Sequence, residues 1–390
     1  GGGGGWWNRQ HPPAAPPPPR GGGGGVGGGG RRGCRGRAIS CVSLLTLPSP
    51  PFGWRGYRKL APHDPPTPHA PSRVSRRAIL GGLLASLPGC AAAQREGLFA
   101  WPFSLPDLPG NTALRPLGGM EIDRGALGFG GLSGLHIAPD LSLTLVSDLG
   151  RYAEMSLVLD AQSRPFRLAL RRAGALQDGS GRPLARGRAG DAEALARLPD
   201  GSWLVAYERW HRIRRHARID GPAIHVEAPP GLDQAPANGG LESLAVLADG
   251  TWFAITEDLA VPDVPGAVAG WLGGPRAWVP IGWRPAPGMA PVDAAPLPDG
   301  GALVLERGFS LFGGFSARLT RIGAAALARA RPGSVLEGEE LLRFSAPLPV
   351  ENYEAVSVVR HQGRMLVGIV SDDNESWLQR TLLLLFELAE

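Results

Sequence analysis

The sequence predicts an all-β fold, a six-bladed β-propeller, on three observations. Asp-Gly pairs at 200–201, 249–250 and 299–300 interrupt alternating apolar runs, the pattern of short hairpins. The hairpin recurs along the chain, with its first polar position at Ser133, Glu193, Glu242, Asp293 and Glu354, at intervals of 60, 49, 51 and 61 residues. Helical periodicity is scarce beyond residue 97, where 324–331 is the one stretch that reads as a helical turn. A repeating hairpin unit is a small sheet that cannot bury its own faces, so its copies must pack side by side. The ends are then expected to pair, 114–122 with 381–388, as a sixth blade that closes the ring and leaves no long exposed edge. A β-sandwich is the structural alternative, but it does not explain why polar residues keep their place in every copy.

The N-terminal part differs in kind from the rest. Residues 1–96 carry 13 of the 40 basic residues against only Asp64 and Glu96, whereas residues 97–390 carry 27 Arg, no Lys and 33 acids. The pI of about 9.6 therefore belongs to the leader. A mildly acidic body without a basic stripe excludes nucleic acid as the expected partner. Residues 1–72 mix Gly, Pro and Arg without apolar periodicity, too poor in core-forming side chains to offset their ordering entropy. They read either as a disordered leader or as an over-extended start of the chain.

Residues 73–96 read as an export signal. Arg76-Arg77 precede a short apolar run ending at Leu87, the arrangement of a twin-arginine signal, and the run is too short to span a bilayer. Leu87-Pro88-Gly89-Cys90 resembles a lipobox and Ala91-Ala92-Ala93-Gln94 an ordinary signal-peptidase site. Cys90 is thus the expected lipidation and membrane-attachment point of a lipoprotein, the alternative being cleavage into a free periplasmic protein. The other cysteines, Cys34 and Cys41, also precede the body, which has neither a disulfide nor a thiol nucleophile.

The body, 97–390, carries the candidate site. Glu193 and Glu208, Glu242 and Glu257, and Asp293 and Glu306 lie symmetrically about their Asp-Gly turns, which predicts direct cross-strand acid pairs. In the last copy, Glu354 and Asp372 are displaced by one residue about Gln362-Gly363, so a bulge or a longer turn is expected there. Like charges facing each other cost about 0.2–1 kcal/mol per pair, and repeating them calls for a compensating cation. In a propeller the innermost strands line the channel, which would gather Glu193, Glu242, Asp293 and Glu354 in a ring at one mouth, with Ser133 in the equivalent place. Asp148, Glu208, Glu257, Glu306 and Asp372 would form a second row outside it.

Carboxylates from several strands, joined by Asn238, Asn352 and Asn374, are hard oxygen donors that suit Ca²⁺. His136, His211, His216, His225 and His361 show no paired ligand spacing, which disfavours zinc. Arg209 and Arg307 directly follow outer-row acids; with a cation they would hold phosphate, or they simply neutralise the neighbouring carboxylates. Gly131-Leu132-Ser133-Gly134-Leu135 misses the nucleophile-elbow pattern at its last residue, so Ser133 is read as a ring position rather than a nucleophile.

Gly130-Gly131-Leu132-Ser133-Gly134-Leu135, Ser147-Asp148, Asp191-x-Glu193, Tyr207-Glu208-Arg209, Asn238-Gly239-Gly240-Leu241-Glu242-Ser243-Leu244 and Ser371-Asp372-Asp373-Asn374, in that order and spacing, resemble the bacterial phytase-like family of "esterase-like activity of phytase". The resemblance covers roughly 114–388. It departs at Ser243, where Gly is expected after the Glu, and at Asp293, where Glu is expected. It implies a secreted propeller with hydrolase activity on phosphate or carboxylic esters.

The expectation is an exported, monomeric hydrolase of small-molecule phosphate esters. Ca²⁺ would be held among Glu193, Glu208, Glu242, Glu257, Asp293, Glu354 and Asp372. Glu193, Glu242 and Glu354 would act in catalysis, and Arg209 and Arg307 would hold phosphate. The alternatives are a calcium-assisted lactonase or carboxylesterase and a non-catalytic binding propeller.

Overall fold

Antiparallel hairpins of the predicted kind build most of the described chain, residues 99–111 and 113–389 of the computed structural model. The leader, the twin-arginine motif and Cys90 lie outside the described residues. Each blade runs outward from an innermost strand. Blade I is Leu132–Ile137, Ser142–Ser147, Arg151–Leu159 and Pro165–Ala175. Blade II is Ala192–Arg197, Trp203–Tyr207, Arg212–His216 and Ala223–Val226. Blade III is Leu241–Val246, Trp252–Ala260, Val268–Gly273 and Val279–Trp283, with Val335–Leu336 added in parallel at its outer edge. Blade IV is Ala290–Pro296, Ala302–Ser310, Gly314–Ile322 and Glu339–Phe344. Blade V starts from Asn352–His361, Arg364–Asp372 and Thr381–Leu388, and Leu114–Ile122 and Ala100–Phe103 complete it.

The propeller therefore has five blades, not six. The expected closure does form, with Leu114 opposite Leu388 and Ile122 opposite Thr381. It lies inside the fifth blade, because Thr381–Leu388 is already the third strand of the hairpin begun at Asn352. A separate sixth sheet would have left that hairpin without outer strands to cover it. The innermost strands pack in the cyclic order I, II, III, IV, V and back to I. An apolar core fills each of the five seams: Val146 with Val205 between I and II, Leu204 with Leu244 between II and III, Trp283 with Val304 between III and IV, Phe344 with Phe386 between IV and V, and Leu135 with Val370 between V and I. Each large side chain buried in a seam contributes on the order of 1.5–3 kcal/mol, so the blades stabilise one another rather than folding singly. The turn expected at 324–331 is a short helix, Ala324–Arg329.

The hairpin turns correct the expected register. In blade II, Leu198 and Ser202 close a three-residue loop: Gly201 N–H donates to Leu198 O at 2.9 Å, and the Asp200 side chain accepts from Ser202 N–H at 2.9 Å. Gly201, Gly250 and Gly300 sit at φ of 83°, 87° and 88°, the left-handed position that follows a type I turn. In blade I, Leu141 takes that place at φ 61°. Only the fifth hairpin has the two-residue form, Gln362-Gly363, with both residues at positive φ. The three-residue loops move the pairing by one position, so Glu193 and Glu208 do not face each other, nor do Glu242 and Glu257, and Glu306 faces Pro291 rather than Asp293.

Candidate metal centre

A β-bulge at the mouth end of every innermost strand sets where each side chain goes. It falls on Ser133, Glu193, Glu242, Val292 and Glu354, the residues skipped between paired neighbours. A bulge leaves its residue unpaired and re-aims it, which takes Glu193, Glu242 and Glu354 out of the alternation of their strands. Beyond the bulge, the outer-row acids face the residue two places before it: Glu208 N–H donates to Asp191 O, Glu257 N–H to Gly240 O and Asp148 N–H to Gly131 O.

Two groups of carboxylates converge. Asp191, Glu193 and Glu208 present oxygens within 4.8 Å of one another, as do Glu208, Glu242 and Glu257. Glu208 belongs to both groups. Its Oε1 accepts from Gly240 N–H at 2.8 Å, which fixes the carboxylate between blades II and III. Asp191, Glu208 and Glu242 are buried. Glu354 approaches from blade V, close enough to raise the proton affinity of both Glu193 and Glu242.

Burial dominates the electrostatics. It pushes Glu208 up to about 7, with Glu257 and Asp191 adding to the shift and the Gly240 hydrogen bond opposing it. It pushes Glu354 up to about 8 against the pull of Arg307. Glu193 and Glu242 are held well above the ordinary carboxylate range by burial and by their acidic neighbours. Such a mouth near neutral pH either retains protons or exchanges them for a cation.

The arginines are engaged with these acids. Arg209 Nε lies 2.7 Å from Asp191 Oδ2, and Arg307 lies 3.3 Å from Glu257 Oε1 and 3.4 Å from Glu354 Oε2. Arg307 is therefore a built-in cation of the mouth, which is part of the compensation that the acid pairs called for.

Blade IV does not follow the expected pattern. Its bulge falls on Val292, so Asp293 lies one step past it and does not join the groups around Glu208. Both Asp293 oxygens accept backbone N–H groups, Oδ1 from Ala294 and Oδ2 from Val356 across the seam to blade V, each at 2.8 Å. Glu306 is fully buried and accepts from Trp283 Nε1 at 3.0 Å, Ala286 N–H at 2.9 Å and Arg318 Nε at 2.7 Å. Asp372 lies on the seam between blades I and V, accepting from Asn374 N–H at 3.0 Å. Ser133 donates its hydroxyl to Gly131 O at 3.1 Å, as befits a ring position.

Asp191 has no role legible in the sequence, because its position opposite Glu208 exists only with the bulge. His211 likewise has no paired ligand in the sequence that would mark it. Nε2 of His211 lies 3.2 Å from Ala235 O, its Nδ1 is buried without a hydrogen-bond partner among the described residues, and the ring packs against Gly240 beside Glu208, where any Cβ would overlap it.

The donor set tests well against a hard cation: carboxylate oxygens from two neighbouring blades, in excess over the arginines beside them, with loose spacing.

The chain matches the family model "Phytase-like: Esterase-like activity of phytase" over residues 127–375, from the helix before blade I to the loop after Asp372. Solved structures with a similar chain course include a putative gluconolactonase, 11% identical, covering 74% of this chain and 99% of that one at a TM-score of 0.37. A PQQ-bound aldose sugar dehydrogenase from Streptomyces coelicolor is 12% identical, covering 73% of this chain and 100% of that one at a TM-score of 0.39. Virginiamycin B lyase from Staphylococcus aureus is 9% identical, covering 72% of this chain and 82% of that one at a TM-score of 0.33. No curated protein matches the chain. With the acids of its mouth and the first four blades inside the matched span, this chain belongs to the phytase-like, "esterase-like activity of phytase" family.

Proposed function

We propose that the protein is a cation-dependent hydrolase of small-molecule phosphate esters, with Ca²⁺ as the cation. The observation that carries this reading is the pair of carboxylate groups sharing Glu208, whose charge exceeds that of Arg209 and Arg307. Asp191, Glu193, Glu208, Glu242 and Glu257 would hold the ion, which when bound supplies charge neutralisation and polarises the phosphoryl group. Arg209, half-exposed at the rim, is the arginine with room to meet a phosphate oxygen, whereas Arg307 orders Glu257 and Glu354. Glu354, poised at about 8, is suited to hold a proton at neutral pH and pass it to a leaving oxygen. Gly240 N–H keeps Glu208 in place between the two groups.

The direct test is phosphate release from phytate and from simple phosphomonoesters, before and after EDTA. The expected result is activity that EDTA abolishes and Ca²⁺ restores; activity indifferent to chelator would remove the cation from the mechanism.

A specific observation favours carboxylic esters as the second reading. The loops at the mouth end, where second strands turn into third strands, expose Trp210, Phe309, Leu311, Phe312, Trp377 and Leu378. Such a rim suits a substrate with an apolar part better than phytate. Turnover of carboxylic esters without phosphate release would select it.

We also infer export, on the strength of Arg76-Arg77 and of the sequence around Cys90. Mass spectrometry of the mature N-terminus distinguishes acyl-Cys90 from a start at Gln94.

A further inference from the structure

A separate set of oxygens lies on the seam where blade V meets blade I. Asp148 follows the second strand of blade I, Asp372 ends the second strand of blade V, and Asn352 opens the innermost strand of blade V directly opposite Asp372. Side chains of directly opposed residues are close neighbours on one face of a sheet. Gly131 joins the two acids. Its carbonyl accepts from Asp148 N–H at 2.9 Å, its backbone amide lowers the proton affinity of the Asp372 carboxyl, and a Cβ on it would overlap Asp148 Oδ1. At φ 69° and with no side chain, Gly131 lets the Asp148 carboxylate lie against its Cα.

The hydrogen bonds at this seam leave three oxygens over. Asn352 Nδ2 donates to Glu354 Oε1 at 2.7 Å, which fixes the amide so that Oδ1 is its acceptor end. Asp372 uses Oδ2 for Asn374 N–H. Asp148 Oδ1, Asp372 Oδ1 and Asn352 Oδ1 are buried with no hydrogen-bond donor among the described residues. Asn352 is 0% and Asp372 6% exposed, so solvent does not serve in place of a donor. The adjacent Asp373 is the contrast: its Oδ1 accepts from Glu375 N–H and its Oδ2 from Thr381 Oγ1, each at 2.9 Å. Nearby arginines are engaged elsewhere, Arg186 with Glu375, Arg124 with Asp373 and Arg307 with Glu354.

Buried oxygens normally find donors, and acceptor-only oxygens that gather without one form the partial shell of a hard cation. We propose that Asp148, Asp372 and Asn352 bind a second divalent cation, Ca²⁺ by donor type, distinct from the ion assigned to the Glu208 groups. This ion ties the last blade to the first, at the seam that closes the ring. The inference stands independently of catalysis, since the three oxygens need an ion whether or not the mouth hydrolyses anything.

The test is calcium binding to the full chain after chelation, by equilibrium dialysis and calorimetry, together with thermal unfolding with and without Ca²⁺. Wild-type protein is expected to bind two ions. Asp148→Asn is expected to weaken one of them about 100-fold and to remove most of the calcium-induced rise in Tm, because ligand charge sets the affinity of such sites. Glu208→Gln is expected to affect the other ion and to keep that rise. Should Asp148→Asn fail to fold, Asn352→Ala removes a neutral ligand and is expected to weaken the same ion about tenfold. Wild-type binding of a single ion that Glu208→Gln abolishes, or two ions unaffected by Asp148→Asn and Asn352→Ala, would overturn the proposal. Phosphate release is not read here, so loss of the hydrolase reading leaves this result standing, and the reverse also holds.

Discussion

Blade IV and blades II and III are built on one hairpin pattern, yet they use their acids in opposite ways. Asp293 and Glu306 are buried and saturated with donors, holding blade IV to blade V and to its own third strand. Glu193, Glu208, Glu242 and Glu257 gather with few donors and with raised proton affinity. The residue types are alike; the position of the bulge relative to the acid differs by one residue. A carboxylate at the bulge joins the mouth, and one just past it becomes a seam contact.

Substitutions can break this contrast, and the largest effect belongs to blade IV. Glu306→Ala strips a buried partner from Arg318 and leaves Trp283 Nε1 without an acceptor. Breaking such a buried pair costs about 3–5 kcal/mol, measurable by urea unfolding, and calcium affinity of whatever folds should be unchanged. Asp293→Ala leaves the Ala294 and Val356 N–H groups unsatisfied in a buried seam, for about 2–4 kcal/mol. Glu242→Gln is expected to do the reverse, stabilising the metal-free protein by relieving repulsion while weakening calcium roughly tenfold or more. A folded Asp293→Ala protein with calcium binding lost would erase the distinction between the two regions.

The pH dependence of stability sharpens it. A carboxyl whose folded pKa exceeds its unfolded value adds stability below the unfolded value, and that stability is lost as pH rises through the folded one. With Glu208 at about 7 and Glu354 at about 8, metal-free protein should lose stability between about pH 5 and pH 8. Saturating Ca²⁺ should flatten the profile, and thermal melts across that range with and without the ion are the measurement. The smallest effect is expected at the rim: Arg209→Gln frees Asp191 and should raise KM for a phosphomonoester about tenfold with little change in kcat.

Much of this was legible in the sequence, and the misses have physical causes. The repeat spacing and turn residues carried the propeller, and the apolar ends carried its closure by Leu114–Ile122 and Thr381–Leu388. Blade number was not legible, because a terminal strand that completes one sheet reads the same as one that starts another. Asp-Gly fits both two-residue and three-residue loops, so the register was read one place off. The bulge displaces each strand a second time at the mouth end, so the acids still came together although their predicted pairings were wrong. Asp293 was misplaced and Asp191 overlooked for the same reason, since a bulge has no signature in residue type here: it falls on Ser133, Val292 and three glutamates alike.

The most direct measurement is proton release on calcium binding to chelated protein at pH 7, followed by dye or calorimetry in buffers of different ionisation enthalpy. Ca²⁺ should bind at the mouth with release of protons from the carboxyls around Glu208, and Glu208→Gln should diminish both uptake and release. No calcium uptake at millimolar concentration, or uptake that releases no protons and is indifferent to Glu208→Gln, would contradict a cation-binding mouth.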